Sequence, residues 1–486
     1  MGPSWRLSFT TRIDPALRSP VYLQIIQAVI RDIENGRLAP QASMPSSREL
    51  AGILGVNRKT VVLAYEDLIA QGWLETKSTR GTIIASSLPR QPEAPQTPAS
   101  LPADAGVPCY SFATPPKRSL ALPEGAGLKL DEGAPDGRLF PGELLTRAYR
   151  NAVYRTGRGN GFQYRDPRGL PALRESIAEM LRSQRGLPVT ADNICITRGS
   201  QNSLLLAAQL LLQPGDAVIV EHLSYEPAIA AFKARGARIL PVRLDRDGMC
   251  VEDVERACRS ERVRAVFVTP HHQFPTTVPL RPERRLRLLD LARQFGFAII
   301  EDDYDHEFHF ASQPLLPMAA YALQHVIYAG SLSKLLLPAL RLGYIAAPAP
   351  VIDAVAHIVS WTDGMGNRIT EAAANELIET GELRRHARKT RKVYAKRRDA
   401  FAHMLDDIWG PRVEFTVPDG GLAFWLRFDA DLDALEAHAA SKGLRLASSR
   451  SFMVSGDAPR GLRIGFASLT SDELHQAMTM LREAAG

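Results

Sequence analysis

The chain has 486 residues, a formal net charge of +6 and 45% hydrophobic residues, which favours about three ordinary globular folding units. No apolar run approaches the ~20 residues that a membrane span needs, and the first twelve residues lack the apolar core of a signal peptide. The four cysteines form no CxxC pair. We therefore expect a cytoplasmic protein with reduced thiols, no metal site and no membrane partner.

Three helices are predicted near the N-terminus, at residues 22–35, 48–54 and 57–71. Gly55 separates the last two, and such a tight turn between helices is typical of a helix-turn-helix. The third helix begins with Asn57-Arg58-Lys59-Thr60, so its polar end is suited to reach base edges in DNA. Residues 74–84 predict a hairpin with a basic tip at Arg80, where a wing is expected.

This segment resembles the GntR family of winged helix-turn-helix regulators. The resemblance rests on Pro45-Ser-Ser-Arg48-Glu-Leu-Ala51, on Leu54-Gly55-Val56 and on the wing Arg80-Gly81-Thr82. It implies that these residues face double-stranded DNA: Arg48, Asn57, Arg58, Lys59 and Thr60, with Arg80 reaching the neighbouring backbone or minor groove. A helix-turn-helix that contacts only protein is the alternative.

Residues 86–116 contain eight prolines and few large apolar residues, which predicts an extended linker, partly polyproline II. The sequence therefore predicts four segments. Residues 1–85 form a winged helix-turn-helix domain, and 86–116 form the linker. Residues 117–350 form a large domain with an N-terminal arm, and 351–486 form a smaller domain.

The large domain alternates strands with helices. Short β-branched runs at 217–221, 265–269, 298–301 and 326–329 are separated by helical patterns at 225–235 and 282–295. This spacing is typical of a mostly parallel α/β sheet. After about residue 350, long helices precede strands near 414–416 and 423–426, which predicts an α+β unit.

Lys334 is the first of four features that could belong to one site. Apolar residues around it would favour the neutral, nucleophilic amine, and Ser331 and Arg341 beside it are suited to a phosphate. Ser200 and Gln201 form the second feature, because they open a helix whose free N–H groups can bind an anion. Each feature alone has an ordinary structural interpretation: a structural lysine, or a plain strand-to-helix turn.

The other two features follow predicted strands, where ligands bind in such sheets. Asp302 and Tyr304 end the strand at 298–301, and a buried carboxylate there could hold a pyridinium nitrogen protonated. An acidic run is also compatible with a solvated loop or a metal site. Tyr225 follows the strand at 217–221, where its ring could stack on an aromatic cofactor.

Together these features resemble fold-type I aminotransferases, over roughly residues 125–486. The resemblance implies pyridoxal phosphate (PLP) bound to Lys334 as a Schiff base, with Asp302 on the ring nitrogen and Tyr304 on the ring hydroxyl. It further implies roles for the remaining residues: Ser200, Gln201, Ser331 and Arg341 on the phosphate, Tyr225 stacked on the ring, Tyr164 on the phosphate of the neighbouring subunit, and Arg463 on the carboxylate of a substrate or effector.

The fusion of the two halves resembles the MocR subfamily of GntR regulators. It implies a homodimeric, PLP-dependent transcription regulator that binds a DNA operator and senses an amino compound or PLP. A residual transaminase half-reaction would be compatible with this. Phe274, Thr277 and Pro227 depart from patterns of the related proteins, with effects that the sequence does not define. The alternatives are an active aminotransferase with an accessory DNA-binding domain, and a repressor that keeps the fold without the cofactor.

Overall fold

The computed structural model describes residues 19–77, 81–89, 111, 127–158, 160–310, 315–456 and 458–485. The chain divides into two compact units, Met1–Thr114 and Pro115–Gly486. Most of the predicted linker lies outside the described residues. No helix in the described ranges is both long enough and apolar enough to cross a bilayer.

The N-terminal unit is a three-helix core followed by a hairpin. Its helices are α1 (Val21–Glu34), α2 (Ser47–Leu54) and α3 (Arg58–Ala70), within a residue or two of the predicted bounds. Apolar side chains from all three helices are fully buried together, which is the burial that stabilises so small a unit.

Local capping defines the turn between α2 and α3. The Ser46 side chain accepts a hydrogen bond from the backbone N–H of Glu49, and the Asn57 side chain accepts one from Lys59 at 2.9 Å. Gly55 ends α2 in the left-handed conformation at φ +66°, which glycine adopts at no steric cost. These contacts hold the two helices in the helix-turn-helix arrangement that the sequence predicts.

The hairpin consists of β1 (Leu74–Lys77) paired antiparallel with β2 (Gly81–Ile84). The backbone N–H of Met44 donates to the Thr82 carbonyl at 2.9 Å, which ties the hairpin to the segment before α2. The hairpin occupies the place of the predicted wing. Its tip, including Thr79 and Arg80, lies outside the described residues.

The second unit is built on a seven-stranded sheet. The elements from the N-terminal arm to the end of this sheet are β3 (Leu128–Leu130), α4 (Gly142–Gly157), α5 (Pro171–Arg185), β4 (Ile194–Thr197), α6 (Ser200–Leu211), β5 (Ala217–Glu221), α7 (Glu226–Ala234), β6 (Arg238–Val242), β7 (Leu244–Asp245), β8 (Gly248–Met249), α8 (Val251–Ser260), β9 (Val263–Val268), α9 (Pro282–Phe295), β10 (Ala298–Asp303), α10 (Ala319–Ala322), β11 (Val326–Ser331) and β12 (Gly343–Ala346).

The strand order in this sheet is β4-β12-β11-β10-β9-β5-β6. Strands β6, β5, β9, β10 and β11 are mutually parallel, whereas β12 runs antiparallel to both β11 and β4. The predicted mostly parallel α/β sheet is therefore confirmed. Because the parallel strands all end at one edge, the loops that follow them converge there.

The remaining elements are α11 (Ala349–Thr362), α12 (Arg368–Glu379), α13 (Glu382–Trp409), β13 (Val413–Glu414), β14 (Ala423–Phe428), α14 (Leu432–Ser441), β15 (Leu444–Leu446), β16 (Leu462–Gly465) and α15 (Ser471–Ala484). Helix α11 packs on α6, and α12 packs on α4 and α5. Residues 349–379 thus lie against helices of the large sheet, although the predicted boundary falls at residue 350.

Strands β13, β14 and β16 form a separate antiparallel sheet. The N-terminal arm joins this C-terminal part, because β3 pairs parallel with β15. This pairing brings the loop after β3, residues 131–135, beside the ends of the large-sheet strands. It thereby adds a wall to the site described below.

Candidate functional site

A cavity of about 240 Å³ opens at the carboxyl edge of the large sheet. Loops after β5, β9, β10 and β11, the start of α6 and the loop after β3 all line it. Eight residues predicted for the site are among its walls: Ser200, Gln201, Tyr225, Asp302, Tyr304, Ser331, Lys334 and Arg341. Six separate stretches of sequence thus meet in one place.

Lys334 supplies an amine to this cavity. It follows β11, and its Nζ lies 4.4 Å from the centre of the Tyr304 ring. Burial lowers the pKa of Lys334 to about 8, while the carboxylates of Asp305 and other residues act in the opposite direction. The amine is therefore neutral more often at neutral pH than that of an ordinary lysine, and the neutral form is the one that attacks a carbonyl group.

Asp302 supplies an unpaired acceptor. Its Oδ1 is buried and has no hydrogen-bond partner among the described residues. Burial raises the pKa of Asp302 to about 8, and the nearby charges of Asp303 and Asp305 raise it further. The charge of Lys334 and a hydrogen bond from the Ser200 side chain act in the opposite direction. Oδ1 itself is still a buried acceptor without a donor, which is unfavourable unless a ligand completes it. A cationic ring N–H placed in the cavity would restore the ionised carboxylate.

Strand β10 separates Asp302 from its neighbours, because successive side chains of a strand point to opposite faces. On the opposite face, Asp303 accepts a hydrogen bond from the Tyr328 hydroxyl at 2.5 Å. Its Oδ2 also lies 2.9 Å from His306 Nδ1 and 3.5 Å from Arg185 Nη1. The consecutive acidic residues of the sequence thus belong to two different environments.

The Asp303 side of β10 is a buried ionic network. Arg185, 2% exposed, donates to the Tyr328 hydroxyl and to the Glu307 carboxylate. His271 Nδ1 lies 3.4 Å from Asp303 Oδ1. Ligand atoms of His271, Asp303 and His306 lie within 4.8 Å of one another, but the Arg185 guanidinium already balances the aspartate. The expectation of no metal site stays a prediction.

The start of α6 lines the cavity with groups whose chemistry suits an anion. Ser200 and Gln201 begin this twelve-residue helix after Gly199, whose φ is +83°. The Arg341 guanidinium lies against Gly199, where an added Cβ would come within 3.3 Å of Arg341 Nη2. Free helix N–H groups, hydroxyls and a guanidinium together are suited to a phosphate.

Aromatic rings form one wall of the cavity. The Tyr225 ring meets the Phe274 ring edge to face, with 5.0 Å between centres, and its hydroxyl accepts a hydrogen bond from Gln201 at 2.8 Å. The Tyr304 hydroxyl donates to the His272 carbonyl at 2.8 Å. In this arrangement the Tyr304 hydroxyl proton is used in a hydrogen bond within the protein.

Arg463 and Tyr164 do not line the cavity. Arg463 is buried, and it donates to the carbonyls of Glu132 and Pro275 at 2.8 and 2.6 Å. Its guanidinium lies 4.6 Å from the centre of the Phe274 ring and donates to the Tyr304 hydroxyl at 3.3 Å, so Arg463 contacts two lining residues without itself lining the cavity. Tyr164 is 85% exposed and is not among the residues that line the cavity.

Some cavity residues were not predicted from the sequence. They are Glu132, Gly133, Ala134, Pro135, Thr269, Phe274, Ser333 and Pro338. Thr269 and Ser333 could have been found, because each follows a predicted strand at the same edge. The stretch 132–135 could not, since its place depends on the pairing of β3 with β15.

Five of the six residues predicted to face DNA lie near the starts of α2 and α3, and the sixth, Arg80, lies outside the described residues. Arg48, Asn57, Arg58 and Lys59 are exposed, and Thr60 is half-buried. The Arg58 Nε donates to the Ser47 hydroxyl at 3.3 Å, so the start of α3 is held beside the start of α2. Among the residues that the structure describes, Arg48, Arg58 and Lys59 form no ion pair, so both helices present exposed cations here.

Comparison with known proteins agrees with both halves of this description. Residues 127–481 match aminotransferase class I and II, and residues 21–84 match bacterial regulatory proteins of the gntR family. The probable rhizopine catabolism regulatory protein MocR of Rhizobium meliloti is 30% identical over 96% of this chain and 94% of its own length. The pyridoxine biosynthesis transcriptional regulator PdxR of Corynebacterium glutamicum is 29% identical over 97% of both.

Solved aminotransferases share the fold of the second unit. An archaeal alanine:glyoxylate aminotransferase superposes with a TM-score of 0.70 at 26% identity, covering 74% of this chain and 91% of that chain. The kynurenine aminotransferase of Pyrococcus horikoshii, solved in complex with PMP, superposes with a TM-score of 0.69 at 28% identity, covering 74% and 90%.

Fold and site together define a PLP-dependent aminotransferase-like protein joined to a winged helix-turn-helix. The chain belongs to the aminotransferase class I and II family, and among these proteins to the GntR-type transcription regulators of the MocR subfamily.

Proposed function

We propose that this chain is a DNA-binding transcription regulator that holds PLP on Lys334 and senses an amino compound or PLP itself. One observation carries the cofactor assignment: the unpaired buried Oδ1 of Asp302 lies in the same cavity as the Lys334 amine. A protonated pyridine nitrogen is the donor that this acceptor lacks. When bound, PLP supplies an aldehyde that condenses reversibly with amines and a ring that withdraws electrons.

The chain's own residues hold and orient that group. Lys334 would attach it covalently, and Asp302 would keep its ring nitrogen protonated. The phosphate would be held by the start of α6 and the cluster around it: Ser200, Gln201, Ser331 and Arg341. Tyr225 would cover one face of the ring and Tyr304 would contact the ring hydroxyl, which requires its proton to leave the His272 carbonyl.

Reductive labelling tests this assignment on the wild-type protein. Borohydride should fix the cofactor on the chain, and peptide mapping should locate the label at Lys334. A label on another lysine, or no label on a protein purified with PLP, contradicts the assignment. A Lys233→Ala variant, which removes an exposed lysine of the same unit, should label as the wild type does.

Sensing requires that an effector distinguish two arrangements of the protein. An effector shifts such an equilibrium only by the difference in its affinity for the two states. We therefore propose a screen of amines and amino acids in which the PLP absorbance and the affinity for operator DNA are both measured. A true effector changes both, whereas a compound that changes only the spectrum is bound without being sensed.

Arg463 would bind the carboxylate of an effector only after a local change. Phe274 covers its guanidinium, and two backbone carbonyls already accept from it. We expect Phe274→Ala to strengthen binding of carboxylate-bearing amines relative to the same amines without a carboxylate. An unchanged ratio of the two affinities argues against a role of Arg463 in effector binding.

A homodimer is proposed because large aromatic side chains are exposed near α11. Trp361 is 83% exposed and Tyr164 is 85% exposed, and the backbone N–H of Arg165 contacts Met365 Sδ at 3.2 Å. Exposed aromatic clusters of this kind are typical of protein interfaces. We propose that Tyr164 reaches the phosphate of the partner's site.

Mixing two inactive variants tests the shared site. Lys334→Ala and Tyr164→Phe chains, refolded together, form heterodimers in which one site has both native residues if Tyr164 serves the partner. We expect PLP affinity to recover to the wild-type value at one site per heterodimer. No recovery, with dimers present in sedimentation, places Tyr164 in the site of its own chain or outside both.

Operator binding is assigned to the start of α3. Arg58→Ala should weaken binding to a specific operator by about 1–3 kcal/mol, the usual value of a side chain that reaches a base edge. Arg31→Ala removes an exposed cation from α1 of the same unit and should change affinity far less. Equal effects of the two variants would contradict the recognition surface.

An active aminotransferase is a second candidate. The lowered pKa of Lys334 and the buried acceptor of Asp302 would also suit catalytic transamination. Conversion of an amino donor to its keto product at ordinary enzymic rates, independent of DNA, would support it. Slow conversion of one equivalent of cofactor is compatible with the regulator.

A further inference from the structure

Helix α13 carries a surface of cations that forms no part of the site above. Six residues, here called the basic band, define it: Arg384, Arg388, Lys389, Arg391, Lys392 and Lys396. All six are exposed. Within the described residues, none of them forms an ion pair, whereas neighbouring Arg385 and Arg397 pair with Glu382 and Asp136. The band is therefore a free cationic surface.

The helical arrangement places the band on one face. At 100° per residue its members span an arc of about 160° and a length of about 18 Å. The opposite face contains buried Leu383, Tyr394 and Phe401, which fix the helix on the rest of the domain. The cations therefore project from a rigid support and do not serve packing.

This arrangement is unfavourable for an isolated helix. Arg384, Arg388, Lys392 and Lys396 follow one another at four-residue intervals, and like charges at this spacing repel. Arg384 also lies in the first turn, where the helix dipole disfavours a cation. A simple solvated surface would relieve the repulsion by including acidic residues, but between Arg384 and Arg398 nine of fifteen residues are Lys or Arg and none is acidic.

We propose that the basic band binds the phosphate backbone of double-stranded DNA, as a second DNA contact beside the winged helix-turn-helix. The inference rests on the DNA-binding function of the chain and is independent of its cofactor. Duplex DNA presents about one negative charge per 1.7 Å of axis, so a rigid row of cations 18 Å long faces a matching row of phosphates. Such contacts add affinity without sequence preference.

The test uses the full chain with two matched triple variants. The band variant carries Arg388→Gln, Arg391→Gln and Lys392→Gln. The control variant carries Lys233→Gln, Arg246→Gln and Arg262→Gln, which removes the same charge from exposed positions elsewhere on this unit. Affinities for an operator duplex and for an unrelated duplex of equal length are measured over a range of salt concentrations.

Log K falls as log salt rises, and we expect this negative slope to become shallower by about 2–3 in the band variant, since each phosphate contact contributes about 0.9. Affinity at low salt should fall roughly 10- to 100-fold on both duplexes, with the ratio between them unchanged. The control variant should match the wild type. Circular dichroism and PLP absorbance of all three proteins should agree.

Several results would overturn the proposal. An unchanged slope in the band variant would do so, as would an equal loss in the control variant. A change in sedimentation with an unchanged slope would identify the band as a contact between copies of the chain. If the wild-type protein binds neither duplex, the DNA-binding function itself fails. If it binds and the band variant binds equally well, only this inference fails.

Discussion

Each face of strand β10 carries a buried aspartate, and the two aspartates differ in their contacts and in the direction of their pKa shifts. Asp302 faces the cavity with an unpaired oxygen, and burial raises its pKa to about 8. Asp303 faces the other way into contacts with a guanidinium, two imidazoles and a phenol, and its pKa is lowered well below the ordinary value. Oδ1 of each carboxylate lacks a hydrogen bond among the described residues, but only Asp303 has cationic or imidazole partners within ion-pair distance. The carboxylate without an ion pair marks the ligand site, whereas the paired one supports the fold.

This difference distinguishes buried polar residues that bind a ligand from buried polar residues that stabilise the fold. A change on the cavity face should affect ligand binding and leave stability nearly intact. A change on the network face should affect stability first, because removal of one partner leaves a buried charge without compensation. Four variants or measurements test this contrast.

The largest effect is expected for Lys334→Ala on the cavity face. Covalent retention of PLP after borohydride treatment should be lost completely, because the amine that holds it is gone. The free energy of unfolding of the cofactor-free protein should change by less than about 1 kcal/mol, since a buried amine with a depressed pKa contributes little. Retained label, or a large loss of stability, would break the contrast.

Arg185→Met tests the network face. The substitution leaves Asp303 and Glu307 without their cation, and we expect a loss of about 3–5 kcal/mol in the free energy of unfolding, measured with urea. Arg182→Met is the control, because Arg182 lies one turn away on α5 and its ion pairs within the described residues are with the exposed side chains of Glu175 and Glu179. Similar losses in both variants would mean that the network is not what stabilises this side of β10.

Asp302→Asn should weaken PLP binding without unfolding the domain. Loss of a charged hydrogen-bond acceptor is worth about 1.5–3 kcal/mol, or roughly 10- to 150-fold in affinity. Equilibrium titration of the cofactor-free protein measures this. Asp303→Asn should instead reduce stability, with PLP affinity nearly unchanged in the fraction that remains folded. Reversed results would assign the ligand to the other face.

The smallest effect is a difference in the pH dependence of stability. Because burial raises the pKa of Asp302, the folded protein retains a proton that the unfolded chain releases, so the Asp302 contribution destabilises the protein progressively from about pH 4 to about pH 8. The lowered pKa of Asp303 makes its contribution constant over that window and lost only below about pH 4.

Urea unfolding of cofactor-free protein between pH 4 and pH 8 measures these contributions. Relative to Asp302→Asn, the free energy of unfolding of the wild type should fall steadily as the pH rises. The wild type minus Asp303→Asn difference should stay flat. Equal slopes for the two variants would show that the two carboxylates titrate alike.

Much of the fold could be predicted from local patterns. The helices around Gly55 and the strands that include 217–221 and 298–301 were expected within a few residues of their observed bounds, because periodicity and capping are local properties. The place of the candidate cavity could also be predicted, since Lys334, Asp302 and Tyr225 each follow a predicted strand of a parallel sheet. Strand ends at one edge must converge, whatever the order of the strands.

The sequence by itself determined the class of protein: its winged helix-turn-helix, its aminotransferase-like unit and half of the residues that line the cavity around Lys334. Only the tertiary structure decided that Arg185, His271 and His306 surround Asp303, that Arg463 packs against Phe274, and that the loop after β3 adds a wall to the cavity. The physical reason is that these outcomes depend on partners far away in the chain, such as Arg185 and β15. No local pattern records those partners, whereas alternation along a strand and charge along a helix are readable from neighbours alone.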